Sequence, residues 1–223
     1  MTCVICKIRK PRRQCPGVQG EICTVCCATG REESIDCPLD CTYLQDAHEH
    51  EKPPAIDLAL RPNQDIEVTE EFLQENEIVL AFLAIAVLEG ALDTPAATDW
   101  DVREALDALI ATWRTLQAGL YYRTRPANIY AAGIADFVEA RIAEVRQKEI
   151  EEAAVSGLPD AAILGVLAFL QRLEYSNNNG RKRSRAFLGF LRGFYQSPEA
   201  AAAFDPDPGT GTLAEPDKPM VIL

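Results

Sequence analysis

Apolar positions first fall into a helical register at residue 70. The run Ile78–Leu88 is apolar on every side, which predicts a helix over about 70–91 whose second half lies at the centre of a fold. Thr69 stands where an N-cap belongs, with Glu70 and Glu71 in the first turn where the helix dipole favours acids. Asp93-Thr94-Pro95 ends this helix. Thr98 followed by Asp101 has the spacing of a capping box, and Val102, Leu106, Leu109, Ile110, Trp113 and Leu116 then mark one stripe of a second helix closed by Gly119. Pro126 opens a third, with Ile134, Phe137, Val138, Ile142 and Val145 on one face and Arg141 at its edge. Gly157-Leu158-Pro159 interrupts the chain, and Pro159 and Asp160 begin a fourth helix whose core, Ile163–Leu173, is again apolar all round. Ser176-Asn177-Asn178-Asn179-Gly180 reads as a turn, and a fifth helix over about 182–196 carries Phe187, Phe190, Leu191, Phe194 and Tyr195.

The helix starts are spaced like a repeat array, but no residue signature recurs at that period, so a bundle of about five helices over residues 68–197 is the expected body. Two wholly apolar helices and three amphipathic ones suit a bundle with a buried pair. No strand pattern occurs in this body. Lys52-Pro53-Pro54 and Pro62-Asn63 make residues 51–67 a linker. Residues 198–223, rich in Ala, Pro, Asp and Gly, read as a disordered tail. It ends in Met220-Val221-Ile222-Leu223, either folded back on the body or free to dock into a partner.

The first 50 residues break the pattern. All eight cysteines of the chain lie between Cys3 and Cys41, spaced as Cys3-x2-Cys6, Cys23-x2-Cys26 with Cys27 beside it, and Cys37-x3-Cys41. A segment of this size offers few large apolar residues, with Ile5, Val18, Ile22, Val25, Ile35, Leu39 and Leu44 as the expected core, too little to fold unaided. Two intervening residues let a turn aim both sulfurs at one ion, and soft thiolates at this spacing suit zinc. Adjacent cysteines rarely chelate one ion, so Cys26 and Cys27 belong to different sites. The expected sets are Cys3, Cys6, Cys23 and Cys26 on one ion, and Cys15, Cys27, Cys37 and Cys41 on a second, with His48 or His50 as substitutes in the second. An iron–sulfur cluster lacks the compact ferredoxin run of cysteines, and redox-active thiols lack a βαβ context. The interleaved order resembles the cross-brace zinc modules of HIT and MYND type over residues 1–50. That resemblance implies two closed zinc sites and protein docking rather than catalysis.

Charge is unevenly placed. The formal net charge is −12, which repels phosphate backbones on average. Lys7, Arg9, Lys10, Arg12 and Arg13 lie between Cys6 and Cys15, where they offset metal–thiolate charge or present a patch. Arg181, Lys182, Arg183 and Arg185 lead into the fifth helix, at the end where the dipole disfavours cations. They are a solvated helix start, a pair for the acidic stretch Asp57–Asp107 or for an acidic face of another copy, or contacts for phosphate. Tyr121, Tyr122, Arg123 and Arg125 fall between helices, as an aromatic-anchored loop or a pocket lining.

There is no nucleophile motif, phosphate-cradling glycine loop or dinucleotide fingerprint. The chain opens directly into the cysteine cluster without a basic, then apolar, leader, and its longest apolar run is far short of a membrane span of about 20 residues. The expectation is a soluble cytoplasmic protein without catalysis: a zinc-finger adaptor whose partner is another protein or its own copy. Two alternatives stand beside it. One is a nucleic-acid-associated protein using residues 7–13 and 181–192; the other is a metalloenzyme with an open zinc site near His48 and His50.

Overall fold

A computed structural model of the chain describes residues 1–52, 57–151 and 158–195. The expected disordered tail, with Met220–Leu223, lies outside the described residues. The fold is mainly helical, with a short strand pair near the N-terminus. In the first 50 residues, β1 (Arg13–Cys15) pairs antiparallel with β2 (Gly20–Ile22), and two helices follow, α1 (Thr24–Gly30) and α2 (Thr42–His50). Among the described residues that follow, the α-helices are α3 (Glu70–Glu75), α4 (Glu77–Asp93), α5 (Asp99–Gln117), α6 (Ile129–Glu151), α7 (Asp160–Asn177) and α8 (Ala186–Tyr195).

The two all-apolar runs are the buried pair. Leu83, Val87 and Leu88 of α4 and Ile163, Leu167 and Leu170 of α7 are almost wholly shielded from solvent. They meet Leu106 and Leu109 of α5, Ile134 and Val138 of α6, and Phe187 and Leu191 of α8 in one cluster. Each such side chain contributes about 1.5–3 kcal/mol by leaving water. Helix ends follow the local signals. Thr69 Oγ1 accepts from the Phe72 amide at 3.0 Å, the Thr98 amide donates to Asp101 Oδ2 at 2.8 Å, and Gly119 closes α5 at φ +77°.

Three expected boundaries move. The single helix over 70–91 is two, broken at Asn76, whose Nδ2 donates back to the Phe72 carbonyl and whose own carbonyl then starts α4. The third helix starts at Ile129 rather than at Pro126, because the Asn128 side chain caps it through the Tyr130 amide. The fifth starts at Ala186, so the four basic residues precede the helix instead of occupying its first turn, and the supposed clash with the dipole disappears. The buried carboxylate of Asp99 takes the N-terminal place, accepting from the Phe187 and Leu188 amides at 3.0 and 3.1 Å and from Ser184 Oγ.

The expected linker is part of the body over residues 62–66. Arg172 donates to the carbonyls of Pro62, Asn63 and Ile66, and Arg114 grips Asn63 and Asp65. The 118–128 loop is not anchored by its aromatics, since Tyr121 and Tyr122 stand in solvent. Arg123 and Arg125 hold it to Asp136 and Glu139 of α6, and Thr112 and Thr115 hold its backbone.

Candidate metal centre

Apolar packing alone cannot hold the first 50 residues together. Ile22, Ile35 and Leu44 are the large apolar side chains buried there, alongside the cysteines. Ile5 and Val25, expected in this core, are exposed, and Leu39 packs against the helical body instead.

Turn geometry collects the first four thiols. The Lys7 amide donates to the Cys3 carbonyl with Lys7 in the left-handed region, so the chain doubles back and aims Cys3 and Cys6 the same way. The hairpin β1–β2 returns the chain to Cys23, which caps α1, and Cys26 follows in the first turn. Cys3, Cys6, Cys23 and Cys26 place their sulfurs within 4.8 Å of one another, with Cys6 and Cys23 at 4.0 Å. A tetrahedral ion with metal–sulfur bonds of about 2.3 Å sets its sulfurs about 3.8 Å apart. The four can hold one metal ion.

Their acidities show the crowding. Burial works against the Cys3 thiolate, but the Cys6, Cys23 and Ile5 amides bring it down to about 6. Burial together with hydrogen bonding to Cys23, Cys6 and Cys3 pushes Cys26 up to about 12. Four thiolates this close cannot all form unless a cation joins them. The Arg9 and Ile8 amides lower Cys6, and the Arg9 guanidinium is itself held protonated by Cys23.

The second set is brought together more loosely. Cys15 ends β1, Cys27 lies on α1, Cys37 lies in the following loop and Cys41 caps α2; all four line one small cavity with Ile22, Ile35, Tyr43 and Leu44. They do not close to the spread of the first four among the described residues. Burial pushes the Cys37 thiol up, opposed by the Glu32 amide and reinforced by the Cys15 and Cys41 charges. Arg13 donates to Cys27 Sγ at 3.2 Å and lies over the Tyr43 ring. Arg9 and Arg13 of the basic loop thus each serve one cysteine set. Gly17 lets the Cys37 loop approach the hairpin, for a Cβ there would lie 2.3 Å from the Asp36 carbonyl oxygen.

His48 and His50 lie on α2, not on a strand. His48 Nε2 meets Glu32 Oε2 at 3.1 Å, so it is engaged away from the sulfurs, and His50 is exposed. Among the described residues neither joins a group of close metal-ligating side chains.

Arg181, Arg183 and Arg185 find acids inside the chain. Arg181 pairs with Glu51 and Glu32, Arg183 with Asp36, and the nearly buried Arg185 with Asp36 and the carbonyls of Ala97 and Cys37. Lys182 is exposed. Sequence reasoning missed the centre of this contact, Glu32. It is wholly buried at φ +53° and lies in an unremarkable Arg-Glu-Glu-Ser stretch. Burial opposes its ionisation, but His48, the Arg185 amide and Asn179 together hold its carboxyl below the ordinary glutamate range.

Among the described residues no helix is long and apolar enough to cross a membrane. No known family model, curated protein or solved structure matches this chain.

Proposed function

We propose that this protein is a zinc-dependent adaptor, with a metal-stapled head on a helical body that docks another protein or its own copy. The observation that carries the reading is the four-sulfur first set, buried at Cys3, Cys23 and Cys26. Four thiolates around one ion leave no open coordination position, which is the arrangement of structural rather than catalytic zinc. The sulfur spacing suits a single ion of zinc's bond length better than a cluster whose several irons would hold the cysteines apart.

A second zinc ion belongs to Cys15, Cys27, Cys37 and Cys41, which share a cavity and have Arg13 beside Cys27 to offset thiolate charge. Reduced thiols in this number favour the cytoplasm. The interleaved ligand order, with its resemblance to HIT and MYND modules, supports docking as the task. So does a cleft of about 740 Å³ between α2 and α8, lined by Leu39, Leu44, His48, Phe190 and Arg192. The internal pairing of Arg181, Arg183 and Arg185 favours this reading over nucleic-acid binding, since phosphate would have to displace Glu32, Asp36 and Glu51.

The test is affinity capture from native lysate with zinc-loaded and chelator-stripped protein in parallel. A stoichiometric protein partner retained by the loaded form and lost from the stripped form is expected. Recovery of nucleic acid with a steep salt dependence would replace this reading with the other.

A further inference from the structure

We propose that the second cysteine set operates a latch between head and body: the loop that supplies Cys37 is also the socket for residues 179–185, so the ion there governs whether the two parts stay joined. This rests on the second ion of the proposed function.

The socket is built from the segment between α1 and α2. The amides of Glu33, Ser34 and Ile35 all donate to the Gly30 carbonyl, curling the loop tightly, and the Glu32 amide faces the Cys37 sulfur. Glu32 is then filled from the body side. Its carbonyl accepts from the Arg183 amide at 2.7 Å, its Oε1 from the Arg185 amide at 2.7 Å, and its Oε2 from Asn179 Nδ2 at 2.7 Å. Cys37 itself accepts from the Arg185 guanidinium through its carbonyl at 2.6 Å. The far wall of the socket is α2 with its two caps: Cys41 is the N-cap, His48 reaches Glu32, and Glu51 at the C-cap reaches Arg181.

Both walls are therefore fixed at a ligand of the second set, one at Cys37 and the other at Cys41. The sulfur contacts of the first set stay inside the head, with Cys6 meeting the Arg9 amide and Cys23 the Cys26 amide. Glu32 can be held buried, charged and in the left-handed region only while its surroundings are rigid, because an unpartnered carboxylate in that place is strongly disfavoured. Releasing Cys37 and Cys41 removes that rigidity. The other side of the same segment is tied to α5 instead: Asp99 holds the Phe187 and Leu188 amides, and Trp100 Nε1 donates to the Arg181 carbonyl. The latch thus opens on one side only.

This one-sidedness supplies the control. Amide hydrogen exchange followed by NMR on the full-length zinc-loaded protein reports Arg183 and Arg185, which bond to Glu32, beside Leu188, which bonds to Asp99. Native mass spectrometry counts ions in each sample; a wild-type chain holding one ion overturns the second-ion reading itself. With two ions in the wild type and one in Cys41→Ser, the Arg183 and Arg185 amides of the variant are expected to exchange about tenfold faster or more while Leu188 does not change. Cys6→Ser, lacking the first ion, keeps both protected. Cys37→Ser, which frees the other wall and also holds one ion, is expected to open the same two amides, which covers the case in which Cys41→Ser loses its fold. Wild-type protection of Arg183 and Arg185 in Cys41→Ser or Cys37→Ser with the second ion gone would overturn the latch. So would an equal loss in Cys6→Ser.

Discussion

Stripping the metal with a strong chelator at neutral pH unfolds residues 1–50 and leaves the helical body standing. The head has three large buried apolar side chains besides its cysteines, while metal ligation in small zinc domains contributes on the order of 10 kcal/mol. The body needs no such help, for α4 to α8 share one continuous apolar core. Limited tryptic digestion reads the outcome. Cleavage at Lys7, Arg9, Arg12 and Arg13 should accelerate about a hundredfold or more in the stripped protein, while cleavage within α5 and α7 stays slow. Far-ultraviolet circular dichroism should retain most of its helical signal, because α1 and α2 are short. Binding requires deprotonated thiols, so acid should release the ions and base should retain them.

Asp99→Ala destabilises the body by about 2–4 kcal/mol. Asp99 is wholly buried, and its two oxygens serve Ser184 Oγ and the first free amides of α8. Alanine leaves those amides without acceptors in a dry place and detaches α8 from α5. Chemical denaturation with unchanged slope and a lowered midpoint would record the loss. Asp99→Asn keeps one acceptor oxygen and should cost less. Burial pushes the Asp99 carboxyl above its ordinary range against the pull of Ser184 and the two amides. A raised folded-state value means that this group's contribution is largest below the ordinary aspartate range and falls as the pH rises through the raised one. Asp99→Ala therefore also removes that slope from the stability profile.

Helix identity was legible because it depends on local spacing. Apolar residues at three- and four-residue intervals marked α5 and α6, apolar runs marked α4 and α7, and Thr69 and Thr98 marked the starts of α3 and α5. The first thiol set was legible for the same reason, since two intervening residues make a turn wherever they occur. What escaped depended on distance along the chain. Glu32 and Asn179 are 147 positions apart and Asp99 and Ser184 are 85 apart, and no local pattern announces either contact. The acids that pair with the basic residues before α8 were not legible, because Glu32, Asp36 and Glu51 lie in a different part of the sequence. His48 looked like a ligand because it follows the cysteines, but its place on α2 turns it toward Glu32.

Native mass spectrometry of the protein purified without added metal tests the central claim most directly. The account predicts two zinc ions per chain, with one lost on replacing Cys3 or Cys23 by serine and one on replacing Cys37. A metal-free chain whose first 50 residues remain resistant to trypsin in the presence of chelator would contradict it.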